Sequence, residues 1–471
     1  MYKDNHDEQP YSKEEVLELV SQYETMLRNR EQLYFDHNSL EDIIDYYEAA
    51  GVWDKADSAI QYGLTQYPNS GYFIAKKAMS LFEEKKYKQA LEMVEKALLL
   101  SPNDLDCLIL QADLYNQLGK PKLALNLLKQ ALQQFGKEDQ SDILIAVSDV
   151  FEAGGLMHKS YKAAKRALAL CPDNEMAQIR YDYIATETEN YRESIAVQRK
   201  LIGKNPYNFL AWYHLGNAYY GLDRYKKAID AYDYALAINE DFAPAYRDKA
   251  DCYYELGNYP HAKKLYLTAL QMGFKDADLL YSLGVTGLHL KEYDECMLFL
   301  KQTLELSPQY ADAFYYMGEC CKEQGKATEA LEYFSKALSI DGKNDTYLYA
   351  VAEIHEKEER FELALMYYHE ALEINKEVAG YYLKVASMFC MLEMVNDGIE
   401  LLEFATRKFP DMAELFYVTA MLLLHEGKKQ TAYIYLSRAI QLDKDGLQKV
   451  FETMPHIKND PDINLLYLLN G

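Results

Sequence analysis

Apolar residues recur along this chain at the i, i+3, i+4 spacing of helices, in runs of about a dozen positions separated by short polar turns. Two such runs are Ala211–Tyr220 and Ala228–Leu236, divided by Gly221-Leu222-Asp223-Arg224. Helical runs joined by so short a turn predict antiparallel hairpins.

The hairpins follow a ruler of 34 residues. Prolines at 68 and 102, and at 172 and 206, are 34 apart, and Pro308 and Pro410 fall on the same grid. Alanines keep the same step, as at Ala90 and Ala124, Ala228 and Ala262, then Ala330, Ala364 and Ala432. Each is followed seven residues later by another alanine and preceded by twelve by a small residue such as Ala78, Gly216 or Gly318. Two helices approach closely only where a side chain is small and neighbouring large ones fill the flanks. Gly216, Ala228 and Ala235 are therefore expected as contacts, with Tyr219, Tyr225 and Tyr232 as fillers. The prolines sit ahead of the next helix, where a missing N–H costs nothing.

Trp212-(x2)-Leu215-Gly216-(x2)-Tyr219, followed by Ala228, Tyr232 and Ala235, resembles a consensus tetratricopeptide repeat. The ruler gives twelve repeats: 37–70, 71–104, 105–138, 141–174, 175–208, 209–242, 243–276, 277–310, 311–344, 345–378, 379–412 and 413–446. A two-residue slip at 139–140 follows the third. The resemblance implies an all-α fold, an α-α superhelix or right-handed solenoid, with capping helices at both ends. Repeat-only proteins of the Bacteroidetes are similar in this arrangement. Residues 1–36 are expected to hold an N-terminal tail and cap, with Ser12-Lys13-Glu14-Glu15 as a capping box and Val16, Val20, Tyr23 and Leu27 on one face. Residues 447–471 supply the other cap through Leu447, Val450, Phe451 and the run Leu465-Leu466-Tyr467-Leu468-Leu469.

Repeat 5 (175–208) breaks the packing pattern, with Asp182, Ser194 and Leu201 where small apolar residues stand elsewhere. A leucine forced into a tight site costs about 1–3 kcal/mol unless the helices separate. This predicts a softer seam between repeats 1–4 (37–174) and repeats 6–12 (209–446); drift of one repeat without mechanical consequence is the alternative.

Charge narrows the partners. Fifty basic against 74 acidic residues give −24, which disfavours nucleic acid and anionic membranes. No secretory leader or membrane-length apolar run is legible, so the cytoplasm is expected. Seven dispersed cysteines lack C-x-x-C spacing and suggest neither disulfides nor zinc. Phosphate-loop, dinucleotide and H-E-x-x-H motifs are absent, so no catalysis, cofactor or metal is expected. His355 and His369 lack ligand spacing, and Cys320-Cys321 fall in packing positions.

In the tetratricopeptide family the first helices of successive repeats line a concave groove, through positions 2, 5, 9 and 12 of each repeat. Those positions hold fifteen acids here, among them Asp251, Asp278, Asp312, Glu319, Glu353 and Glu356, but only two cations, Arg247 and Lys322. Position 5 adds Tyr213, Tyr281, Tyr315, Tyr349 and Tyr417, position 12 adds Tyr220 and Tyr254, and Asn217 stands at position 9. Tyrosines offer a flat apolar face with a hydroxyl, favoured at binding hot spots; alternatively they only fill space between first helices. The family's carboxylate clamp is not kept: Asn217 matches it, but Tyr213, Asp248, Asp278 and Ser282 take its other places. The expected function is a non-catalytic protein-binding scaffold for a basic and apolar segment. A holdase-type assembly factor and the regulatory subunit of an enzyme are the alternatives.

Overall fold

The computed structural model describes residues 13–470, and every regular element among them is helical. Most repeats open a first helix on their first residue, as at Leu105, Glu175, Phe209, Ala243 and Ala311, and every second helix opens sixteen residues into its repeat, as at Tyr225, Tyr259 and Ala327. The first helix of repeat 4, Lys137–Ala153, starts early and absorbs the slip. Side-chain caps anchor several of these starts. Asp36, Ser70, Asp104, Asn174, Asn208, Asp276 and Asn344, each just ahead of a repeat, accept backbone N–H groups of the first turn.

The turn inside each hairpin is of one kind. The fifteenth residue of all twelve repeats has a left-handed φ, from 54° at Glu189 to 75° at Gly325. Six of these are glycine; the others are Lys85, Glu189, Asp223, Lys291, Glu359 and Glu393. Gly221 lies in the turn, as expected, directly after the helix Phe209–Tyr220, but its φ is −63° and Asp223 takes the left-handed place. The role of Gly221 is room: a Cβ there would stand 2.3 Å from the Tyr191 ring.

The small-residue triplet packs as expected. A Cβ on Gly216 would lie 2.4 Å from the Tyr232 ring, and one on Gly318 2.5 Å from Phe334. Ala228 and Ala235 are fully buried, as are their counterparts Ala262, Ala269, Ala330, Ala337, Ala364 and Ala371.

The chain divides into two compact units between Glu240 and Asp241, after the helices of repeat 6. In the first unit the helix Lys13–Asn29 buries Val20, Tyr23 and Met26 against Leu40, Ile43 and Tyr47. Leu27, expected on that face, is exposed, because Met26 takes the inward place; Ser12 of the expected capping box lies outside the described residues. In the second unit Leu447, Val450, Ile457 and Ile463 close the core of repeat 12, while Leu465 and Leu468 stay exposed.

Repeat 5 lies inside the first unit. Its helices, Glu175–Glu187 and Tyr191–Lys204, make the thinnest hairpin contact in the chain, each packing more closely on the neighbouring repeats. Leu201 is buried where alanine usually allows close approach, and Gln178, Asp182, Ser194 and Gln198 are buried beside it.

Candidate functional site

The first-helix face carries the expected acids, but much of its charge is answered from within. Lys76 reaches back one repeat to Asp45 (3.1 Å) and Glu48 (2.6 Å), and Arg180 does the same to Asp149 (2.9 Å) and Glu152 (2.6 Å). Lys384 meets Glu356 at 2.8 Å. All three cations stand at position 6, outside the positions counted from the sequence. The missed signal is spacing: a cation 28 or 31 residues after an acid faces it across the first helices of adjacent repeats. Lys322 closes another link, to Glu319 (2.7 Å) and Glu353 (3.1 Å). Burial works against its ammonium, yet the two carboxylates more than offset this and its pKa rises.

In the second unit, tyrosine hydroxyls rather than cations answer the next acids. Tyr310 donates to Asp278 (2.9 Å), Tyr347 to Asp312 (2.5 Å) and Tyr381 to Asp345 (2.9 Å). The position-5 rings interleave with these tyrosines. Tyr281 lies 5.0 Å from Tyr310 and edge-on to Tyr316, Tyr315 stacks on Tyr347 at 5.1 Å, and Tyr349 stacks on Tyr381 at 5.3 Å. Tyr281, Tyr315 and Tyr349 are half-buried and keep part of their surface exposed. Burial raises the pKa of all three, so they remain neutral donors.

Other expected site residues are placed differently. Tyr417 is buried beneath the C-terminal segment and donates to the Asp443 carbonyl at 2.5 Å, so it is removed from the surface. Arg247 turns to Asp248 (2.6 Å) and lies over the Phe274 ring. Asp251 accepts from Tyr266 at 2.5 Å, and burial, with Asp248 nearby, pushes its pKa up to about 7. Tyr254 pairs with His289 at 2.9 Å.

In the first unit Asn217 is drawn inward, donating to Asp182 (2.8 Å) and accepting from Tyr232 (2.9 Å). Tyr213 leans on Tyr232 and Tyr220 on Tyr225, with ring centres 5.8 and 5.5 Å apart. Asp113 belongs to the face but has no ion pair; burial and the Asp149 charge raise its pKa to about 7.

Among the described residues no group of three or more His, Cys, Asp or Glu is arranged to hold a metal ion, and none of their helices is long and apolar enough to cross a membrane.

Family models described as tetratricopeptide repeat match residues 81–146, 209–242, 247–295, 311–344, 346–378 and 395–446, together more than half of the chain. The chain belongs to the tetratricopeptide repeat family, and its repeated hairpins make it a protein-interaction scaffold. Several solved structures are similar to the chain. YrrB, described as a TPR protein with an unusual peptide-binding site, is 24% identical over 38% of this chain and 93% of its own, with a TM-score of 0.33. A tetratricopeptide repeat protein from Parabacteroides merdae ATCC 43184 is 16% identical over 54% of this chain and 100% of its own (TM-score 0.41). The APC/C hetero-tetramer Cut9-Hcn1 is similar over 96% of this chain and 98% of its own, at 12% identity and a TM-score of 0.39. No curated protein matches the chain.

Proposed function

We propose that the first-helix face of the second unit takes a protein segment carrying basic and apolar side chains. One observation carries the reading: Asp278, Asp312 and Asp345, on three successive first helices, accept hydrogen bonds from tyrosines and stand in no ion pair. Neutral donors hold such carboxylates in place without cancelling their charge, so a lysine or arginine from a partner meets an unspent anion. Beside them the exposed parts of Tyr281, Tyr315 and Tyr349 offer apolar contact. The carboxylates steer the encounter and set register, the rings supply most affinity, and added salt slows association.

The test is binding of a partner captured by the full chain, measured at low and high salt with two variants. Asp278→Asn with Asp312→Asn is expected to weaken binding and flatten its salt dependence. Tyr281→Ala, Tyr315→Ala and Tyr349→Ala together are expected to abolish it, with helicity checked by circular dichroism. Unchanged binding by a folded triple variant would overturn the proposal.

A further inference from the structure

Residues 191–228 run against the charge of the chain. Seven lysines and arginines stand there against two acids, Glu193 and Asp223, a local +5 in a molecule of −24. Two of the seven meet at one ring. Arg199, on the second helix of repeat 5, and Lys227, on the second helix of repeat 6, lie 6.0 and 5.9 Å from the centre of the Tyr219 ring. The Arg199 guanidinium also donates to the Tyr219 hydroxyl at 2.6 Å. Neither cation has a carboxylate within ion-pair distance, although the chain has acids in excess.

Both cations edge a cleft of about 400 Å³. Ile202 and Leu215 form part of its wall, and Trp212 stacks on Tyr234 with ring centres 4.4 Å apart. The indole is fixed by donation from its Nε1 to the Pro206 carbonyl (2.9 Å), while Tyr234 stays 56% exposed. Trp212, Leu215 and Tyr219 occupy positions 4, 7 and 11 of their repeat. The cleft therefore opens between second helices, on a different helical face from positions 2, 5, 9 and 12.

We infer that this cleft is a second docking site, and that its occupant is an acidic protein segment with a bulky apolar residue beside its carboxylates. Charge complementarity selects the occupant. Two like charges gathered at one aromatic ring, neither of them in an ion pair, form a local positive field in an otherwise negative molecule. The aromatic and aliphatic walls take one large side chain and fix where the carboxylates fall. Nucleic acid fits less well, because a continuous polyphosphate carries its charge well beyond the two cations into the net negative field of the chain, whereas a short segment can confine its carboxylates to them. A basic segment of the kind proposed for the first-helix face is repelled here, so this inference stands independently of that proposal.

Trp212 is its own reporter. The chain has two tryptophans, and Trp53, which is 66% exposed, is replaced by Trp53→Phe. The full chain carrying that change is titrated with a synthetic heptapeptide of alternating aspartate and glutamate around a central phenylalanine. A saturable change in Trp212 fluorescence is expected, weakened about tenfold in Lys227→Glu and further in Arg199→Glu/Lys227→Glu. Both positions are exposed, and circular dichroism checks that the variants fold. Replacing the peptide's phenylalanine by alanine weakens binding similarly, and a peptide with lysines for its acids gives no signal. The inference is overturned by no binding at about 1 mM peptide, by equal binding to the charge-reversed variant, or by a thymidine oligonucleotide that competes at lower concentration than the peptide itself. The last result would mark the patch as a nucleic-acid site.

Discussion

Replacing Gln198 by leucine should stabilise the first unit. Gln198 is fully buried in the second helix of repeat 5, and neither its Nε2 nor its Oε1 has a hydrogen-bond partner. The equivalent position is apolar or tyrosine in every other repeat, and leucine at Leu128, Leu300, Leu402 and Leu436. An amide taken from water without compensation costs about 1–3 kcal/mol on mutational evidence. Leucine has nearly the same volume and removes that cost while adding little strain. Gln198→Leu is therefore expected to raise stability by about 1–3 kcal/mol, or a few degrees in the melting transition of a unit this size. Repeat arrays distribute stability locally, so the gain belongs to repeat 5 and its neighbours. Hydrogen exchange read by mass spectrometry, peptide by peptide, measures it: amides of Tyr191–Lys204 should slow more than those of repeats 1 and 2. The reverse change, Leu128→Gln in repeat 3, should cost at least as much as Gln198→Leu gains. Loss of about 1 kcal/mol or more in Gln198→Leu would refute the reasoning, since the amide would then be making bonds worth more than its burial.

Three further outcomes follow from the packing and charges. Gly216→Ala places a methyl 2.4 Å from the Tyr232 ring and should destabilise by about 1–3 kcal/mol, seen as a lower urea midpoint. Glu359→Gly relieves a left-handed residue at φ 59° and should stabilise by about 1 kcal/mol in the same assay, whereas the turn of Gly325 should gain nothing from change. Asp113, with its pKa raised from 3.8 to about 7, favours the native state when protonated. That advantage is full below about pH 4 and is lost as pH rises through 7. Asp113→Asn should therefore be more stable than the parent at pH 8, with the difference vanishing toward pH 4, as followed by thermal melts across pH.

The fold was largely legible because its cause is periodic. Small residues at fixed places, as at Gly216, Ala228 and Ala235, are visible in sequence and are the contacts themselves. The place of the hairpin turn was legible too, but not its left-handed residue: half of those positions hold Lys, Glu or Asp, which carry no local signature, and in repeat 6 it is Asp223 rather than Gly221. On the first-helix face the sequence marks the acids, but charge depends on partners that the helical stripe omits. Lys76, Arg180 and Lys384 sit one step off that stripe and turn toward the preceding repeat. Tyr417 obeyed the same stripe as Tyr315 and Tyr349, yet the segment after repeat 12 buries it, through the core it shares with Leu447 and Val450. The division after Glu240 falls in an ordinary polar turn with nothing in composition to mark it.

The backward reach of Lys76, Arg180 and Lys384 has a consequence for how the chain is made. Each of these cations is synthesised after the carboxylates it answers, by 28 residues in the case of Glu48, Glu152 and Glu356. While the chain emerges from the ribosome, its newest hairpin therefore presents a bare acidic edge that the next one extinguishes. Translation stalled between the two would leave that edge standing, a transient electrostatic marker of an array not yet complete.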